Sequence, residues 1–138
     1  MRSLKTLIRL HRNELDEKRR RLAEMQRRLD ELGQVLLVHD AEVEREKAMA
    51  RVDHDASMAF PRFHKAAQQR RERLVADIVE AGRQAEQARE EVAEAFQEVK
   101  RYEITEENRI ERERRREAQL EQVRLDEVAI NQHRRRDA

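Results

Sequence analysis

Cysteine and tryptophan are absent from this chain, and proline occurs once, at Pro61. Without cysteine there is no disulfide framework and no thiolate metal site, which fits a reducing compartment. Two glycines cannot build a glycine-rich phosphate loop. Aromatics make up 3% of the residues, too few for the thick core that a compact globule of this length needs. No apolar run approaches the ~20 residues required to span a bilayer. The opening segment from Met1 to Leu10 is broken by charge every few residues, unlike a signal-peptide core. Neither sign of charge is in excess: 31 Lys and Arg stand against 30 Asp and Glu, for a net charge of +1. A mixed surface of this kind sets up no field toward nucleic acid or an acidic membrane.

What is present is charge and periodicity. The chain is 44% charged and 38% hydrophobic. On charge alone it could pass for disorder, but its apolar residues repeat. Every seventh position from the start is apolar: Met1, Ile8, Leu15, Leu22, Leu29, Leu36, Val43 and Ala50. Three residues after each come Leu4, His11, Lys18, Met25, Leu32, His39 and Glu46. A 7-residue spacing held this long is a coiled-coil seam. Gly33 lies inside it at a cost of ~1 kcal/mol against alanine, and marks either a soft spot or a close backbone approach. Farther on, Leu74, Ile78, Ala81, Ala85, Ala88, Val92, Ala95, Val99 and Tyr102 continue with gaps alternating between four and three. Small residues dominate this second stretch where large ones dominate the first.

Between the two stretches stand Pro61, Phe60 and Phe63. Proline removes a backbone donor and clashes with the preceding turn, so a helix is expected to stop before it and restart at it. The sequence predicts an all-α fold: a long antiparallel two-helix coiled-coil hairpin forming one domain over residues 1–138. Helix 1 is expected over about 2–55, the bend over about 56–61 and helix 2 over about 61–136, in arms of ~55 residues that make a rod of about 80 Å. A bend centred near residue 58 or 59 sets Leu29 opposite Ala88 and Leu15 opposite Tyr102, with large against small along most of the seam. Helix 2 is then expected to overhang by roughly 17 residues, given near-equal rise along both arms.

The ends of this hairpin carry the candidate sites. Beyond Tyr102 the seam positions Glu106, Arg109, Glu113 and Arg116 are charged, and apolar residues resume at Leu120, Val123, Leu125, Val128 and Ile130. Leu4, Leu7, Ile8 and Leu10 lack evident apolar partners. An apolar, unpaired open end is a docking surface. At the other end, Phe60 and Phe63 either staple the bend or dock a partner.

Chemistry is not indicated. The five histidines, His11, His39, His54, His64 and His133, include no His-Glu-x-x-His and no i, i+4 pair. On a seam, a polar group more often fixes register than binds a metal. Carboxylate pairs such as Glu90-Glu91 sit on a rod without the dry pocket that acid–base work needs. No catalytic activity, metal or cofactor is expected. The arginine clusters, among them Arg19-Arg20-Arg21 and Arg114-Arg115-Arg116, are interleaved with glutamate and lack stacking aromatics, so nucleic acid is not the expected partner.

The residues also resemble a known family. The opening Met1-Arg2-Ser3-Leu4-Lys5-Thr6-Leu7-Ile8-Arg9-Leu10, followed by Leu15-Asp16-Glu17-Lys18-Arg19-Arg20, looks like the start of the flagellar export protein FliJ family. The run Leu125-Asp126-Glu127-Val128-Ala129-Ile130 through Arg134 resembles that family's C-terminal end, and Phe60-x-x-Phe63 its aromatics near the bend. The resemblance implies a stalk-like, non-enzymatic antiparallel coiled coil, similar to YscO-type proteins. Such a stalk promotes assembly and activity of a hexameric flagellar export ATPase, contacts the membrane export-gate protein and escorts export chaperones. It works in the cytoplasm at the face of the flagellar basal body and does not insert into the membrane. By position, the resemblance implies ATPase binding by Leu4, Leu7, Ile8, Asp126, Glu127, Ile130 and Arg134, and export-gate binding by Phe60 and Phe63. The chain departs from the family pattern in a shorter tip loop and the lack of tryptophan. The rival readings are the equivalent stalk of an injectisome, a generic coiled-coil tether or dimerisation module, and an Arg-rich helical nucleic-acid binder.

Overall fold

A computed structural model describes residues 3–137. Met1, the first seam residue, and Arg2, the expected first residue of helix 1, lie outside the described residues. Two helices account for the rest: α1, Leu4–Val52, and α2, His54–Asp137. The chain is an antiparallel helical hairpin, and contacts divide it into two compact units. The tip unit is Glu14–Ala95. The terminal unit joins the residues up to Asn13 with those from Phe96 onward.

In the tip unit the seam falls where the heptad pattern sets it. Leu22, Met25, Leu29, Leu32, Leu36 and Val43 of α1 are half-buried, and Leu15 is buried. Ala67, Ala81, Ala85 and Ala88 of α2 are buried, at 1–3% exposed. Alanine on one side lets the larger side chains of the other lie close. Charged and amide side chains bracket the seam. Lys18 Nζ donates to Glu91 Oε2 at 3.4 Å, Arg89 Nη2 to Gln26 Oε1 at 3.3 Å and Arg71 Nε to Asp40 Oδ1 at 3.1 Å.

The reversal differs from the expected one. The helix break is at Asp53, not over 56–61, and Pro61 lies inside α2. Asp53 outcompetes the proline because it is an N-cap. Its Oδ1 accepts from the Asp55 N–H at 3.2 Å, and its carbonyl accepts the first helical bond, from the Ser57 N–H at 3.0 Å. Asp55 in the first turn of α2 and Arg51 in the last turn of α1 each complement a helix dipole. Pro61 deprives only the Ser57 carbonyl of its donor, and Ser57 is exposed to water.

Register moves with the reversal. The cross-helix pairs of the tip unit have their midpoints between residues 54 and 58, earlier than the expected centre. In the terminal unit Tyr102 stacks on His11, with ring centroids 4.6 Å apart and planes at 19°, where Leu15 was the expected partner. The overhang is correspondingly longer than expected. Glu106 is the last residue of α2 with any burial, and every residue from 107 to 137 is exposed. That stretch runs about 45 Å at 1.5 Å per residue, most of it beyond the start of α1.

Gly33 resolves as a soft spot. A Cβ built on Gly33 meets nothing within 4 Å, and the same holds for Gly82 in α2. Neither has a positive φ. Replacing either with alanine should therefore raise stability by about 0.5–1 kcal/mol, measured by urea unfolding followed by circular dichroism.

Candidate functional site

The terminal unit is built around the start of α1 and the stretch of α2 it packs on. Ile8 is buried at 7% exposure, and Leu4 is half-buried. The expected lack of partners at this end therefore does not hold for Ile8, which belongs to the seam. Leu7 and Leu10 are exposed, at 40% and 54%. Arg12 Nη2 donates to Glu103 Oε1 at 3.4 Å.

The seam closes on a carboxylate. Glu106 is 9% exposed and takes two bonds from Arg109, Nη2 to Oε1 at 3.0 Å and Nε to Oε2 at 3.2 Å. The Arg109 guanidinium, with the charge of Lys5 across the helix pair, holds the Glu106 carboxyl below the usual glutamate range. Arg109 also reaches Glu113 through Nη1 at 3.3 Å. These charges end the pairing without an apolar contact.

Beyond them α2 keeps the seam's frame. Counting on by four and three from Glu113 and Arg116 gives Leu120, Val123, Glu127, Ile130 and Arg134. Leu120, Val123 and Ile130 are 50–54% exposed. This is a coiled-coil stripe with no partner helix among the described residues. Of the candidate terminal residues, Glu127, Ile130 and Arg134 share this stripe. Asp126 lies one position off it and accepts from Gln122 Nε2 at 3.1 Å. Leu4, Leu7 and Ile8 do not join them. Leu4 is level with the region just past Glu106, roughly 25–40 Å along the helix from Asp126 to Arg134. The candidate terminal residues thus form two groups, not one surface.

In the tip unit, Phe60 and Phe63 are half-buried, with ring centroids 6.4 Å apart, and Phe60 also lies 5.4 Å from the His64 ring. They form a small aromatic cluster at the start of the paired region of α2. A groove of about 330 Å³ runs beside it, lined by His39, Asp40, Val43, Lys47, His64 and Arg71 among others. The His39 side chain is 9% exposed, and its Nδ1 lies 3.4 Å from Asp40 Oδ1. His39 Nε2 and His64 Nδ1 are buried without a hydrogen-bond partner. Arg71 grips Asp40 with both Nε and Nη2, and this bond is the main cause of a carboxyl held below the usual aspartate range. The sequence marked His39 as a register residue, but nothing in its pattern pointed to Arg71, because Arg71 stands at a seam position and swings out to reach Asp40.

Among the described residues no group of three or more His, Cys, Asp or Glu is placed to hold a metal ion, and no helix is long and apolar enough to cross a membrane. No curated protein and no solved structure matches the chain. One protein family does: the profile of the flagellar FliJ protein matches residues 1–138.

The two gripped carboxylates make stability depend on pH. Asp40 and Glu106 bind protons less readily folded than unfolded, so each stabilises the fold above the ordinary carboxylate range and ceases to as pH falls through its lowered value. Asp40→Asn and Glu106→Gln should each melt slightly below wild type at pH 7, because in both pairs the arginine stands half in water. In strong acid the gap should close. Thermal melts of the three proteins across pH would check this.

Proposed function

The chain belongs to the flagellar FliJ family, and on that premise we propose that it is a stalk that engages the hexameric flagellar export ATPase through the free end of α2. Membership implies a flagellar, export-related role, in a family that is a non-catalytic component of export. The finer reading concerns what each end does. The observation that carries it is the in-frame stripe of Leu120, Val123 and Ile130, half exposed on a helix that has left its partner. Apolar residues in coiled-coil register gain most from a second helical or grooved surface. The flanking charges of both signs suit graded contacts around a ring, where one tight interface would hinder exchange.

In this reading Glu127, Ile130 and Arg134 meet the ATPase directly, with Asp126 beside them. Leu4 and Leu7 add a second, more proximal contact, while Ile8 holds α1 in place. The tip, with Phe60 and Phe63 half exposed, meets the membrane export gate. Export chaperones are escorted by the same hairpin, which works in the cytoplasm at the base of the flagellum. The resting fold supplies shape and adhesion, and the ATPase supplies the chemistry.

The test is titration of the purified export ATPase with this chain, followed by turnover and ring assembly. Both should rise with wild type. Leu120→Asp combined with Ile130→Asp alters two exposed positions and leaves the seam untouched. It should weaken binding by about 3 kcal/mol, roughly a hundredfold, by placing charge against an apolar surface. No stimulation by wild type, or equal stimulation by the double variant, would refute the reading.

A further inference from the structure

The seams of α1 and α2 share one frame. Counting by sevens from Leu4 arrives, across the reversal, at Phe60, Ala67, Ala88 and Tyr102. Counting by sevens from Ile8 arrives at His64, Ile78, Ala85 and Val99. All eight are half-buried or buried in the hairpin. A turn that reset the chain would leave the second helix in any of seven phases, so agreement by accident comes up roughly one time in seven. A hairpin has no need of it. One continuous helix does.

The break between the helices is as small as a break can be. The Asp53 N–H still donates to the Met49 carbonyl at 3.0 Å, and the Asp53 carbonyl still accepts from Ser57 at 3.0 Å, both at helical spacing. No described residue has a positive φ, and no glycine stands at the turn. At the break the Asp53 carboxylate takes the Asp55 N–H that a continuous helix would give to Arg51. In the shared frame Asp53 and Ser57 fall on seam positions, and both are exposed. Met49, beside the seam, is 54% exposed. The reversal is thus a stretch of coiled-coil seam left without a partner, and polar at its centre.

We propose that a second copy of this chain is a partner for the tip unit, through exchange of arms. α1 and α2 straighten at Asp53 into one helix, and two such chains pair antiparallel. Residues 14–52 of each then pack on residues 54–95 of the other, with the contacts they make at home. Because the seam is common to both forms, the balance is set by the hinge and by concentration. Asp53 favours the closed hairpin twice over: as the cap of α2, and as a carboxylate that straightening would bury in the seam. The partner is identified by this match, since only another copy offers the complementary arm in the same register, with Gln26 facing Arg89 and Asp40 facing Arg71.

The chain has no cysteine, so introduced ones are its only thiols. One copy carries Gln26→Cys and another Arg89→Cys, and the two are unfolded and refolded together at about 1 mM, where mass action favours exchange. A short bismaleimide should then join them, because 26 of one chain faces 89 of the other only after exchange. The same pair of substitutions in Asp53→Leu should crosslink in far higher yield, and Asp53→Leu alone should scatter light with twice the 16.6 kDa monomer mass. No joined product from the wild-type background would overturn the proposal whether or not the Asp53 variant folds. So would a helical Asp53→Leu that stays monomeric, or one that dimerises while a doubly substituted chain crosslinks only within itself.

Discussion

The distance at which two helices can lie along a single seam governs the rest of this molecule. With only two helices there is no third layer to close over a large side chain. What is buried most completely on α2 is accordingly mostly alanine, at positions 67, 81, 85 and 88 beside Val99, while the leucines and methionine of α1 from Leu22 to Leu36 keep an exposed edge. Close approach replaces enclosure. Each seam residue contributes a modest gain by area, and the hairpin depends on many such gains in register. That dependence explains why few charges, Lys18, Glu46, Asp53 and Arg71, take seam positions before Glu106. It also explains why the pairing stops there, at a carboxylate that Arg109 holds in its ionised form.

Most of the seam was legible in the sequence, although Ala67, its most buried residue, was not picked out. From Leu4 to Val43 and from Leu74 to Tyr102, the residues picked out by spacing are the ones that lose exposure. Spacing works here because a coiled coil has no other way to bury anything. The reversal was not legible, for two separate reasons. Pro61 is the loudest local signal, but the Ser57 carbonyl it leaves without a donor faces water, and α2 runs on through it. The true break lies at Asp53, whose capping role is visible only once the start of α2 is known. The repeat itself gives no help, since it passes through the break without a change of phase. The misplaced centre then carried the pairing with it, from Leu15 to His11 as the neighbour of Tyr102.

The candidate site divides along similar lines. The exposed stripe on α2 follows from a pattern that outlasts its partner, so Ile130 and its neighbours could be found by counting. At the start of α1, Ile8 looked unpaired only because Glu106 was taken for the end of the core by its charge. A glutamate satisfied by an adjacent arginine can sit at a seam position at small cost, and the packing extends to it. The family match supplies the flagellar context that no residue here announces. The physical description supplies which side chains are available to act in it.

One feature of the frame bears on how such a chain can change over generations. A loop between two helices ordinarily tolerates gain or loss of a few residues, because its length is not read by either neighbour. Here the count from Leu4 to Tyr102 is a whole number of heptads. Removing a single residue near Asp53 would leave each arm intact and rotate one seam by about 100° against the other in the straight form. A lineage that used both forms could lengthen or shorten its tip only in steps of seven. A lineage that used the hairpin alone would be free to drift.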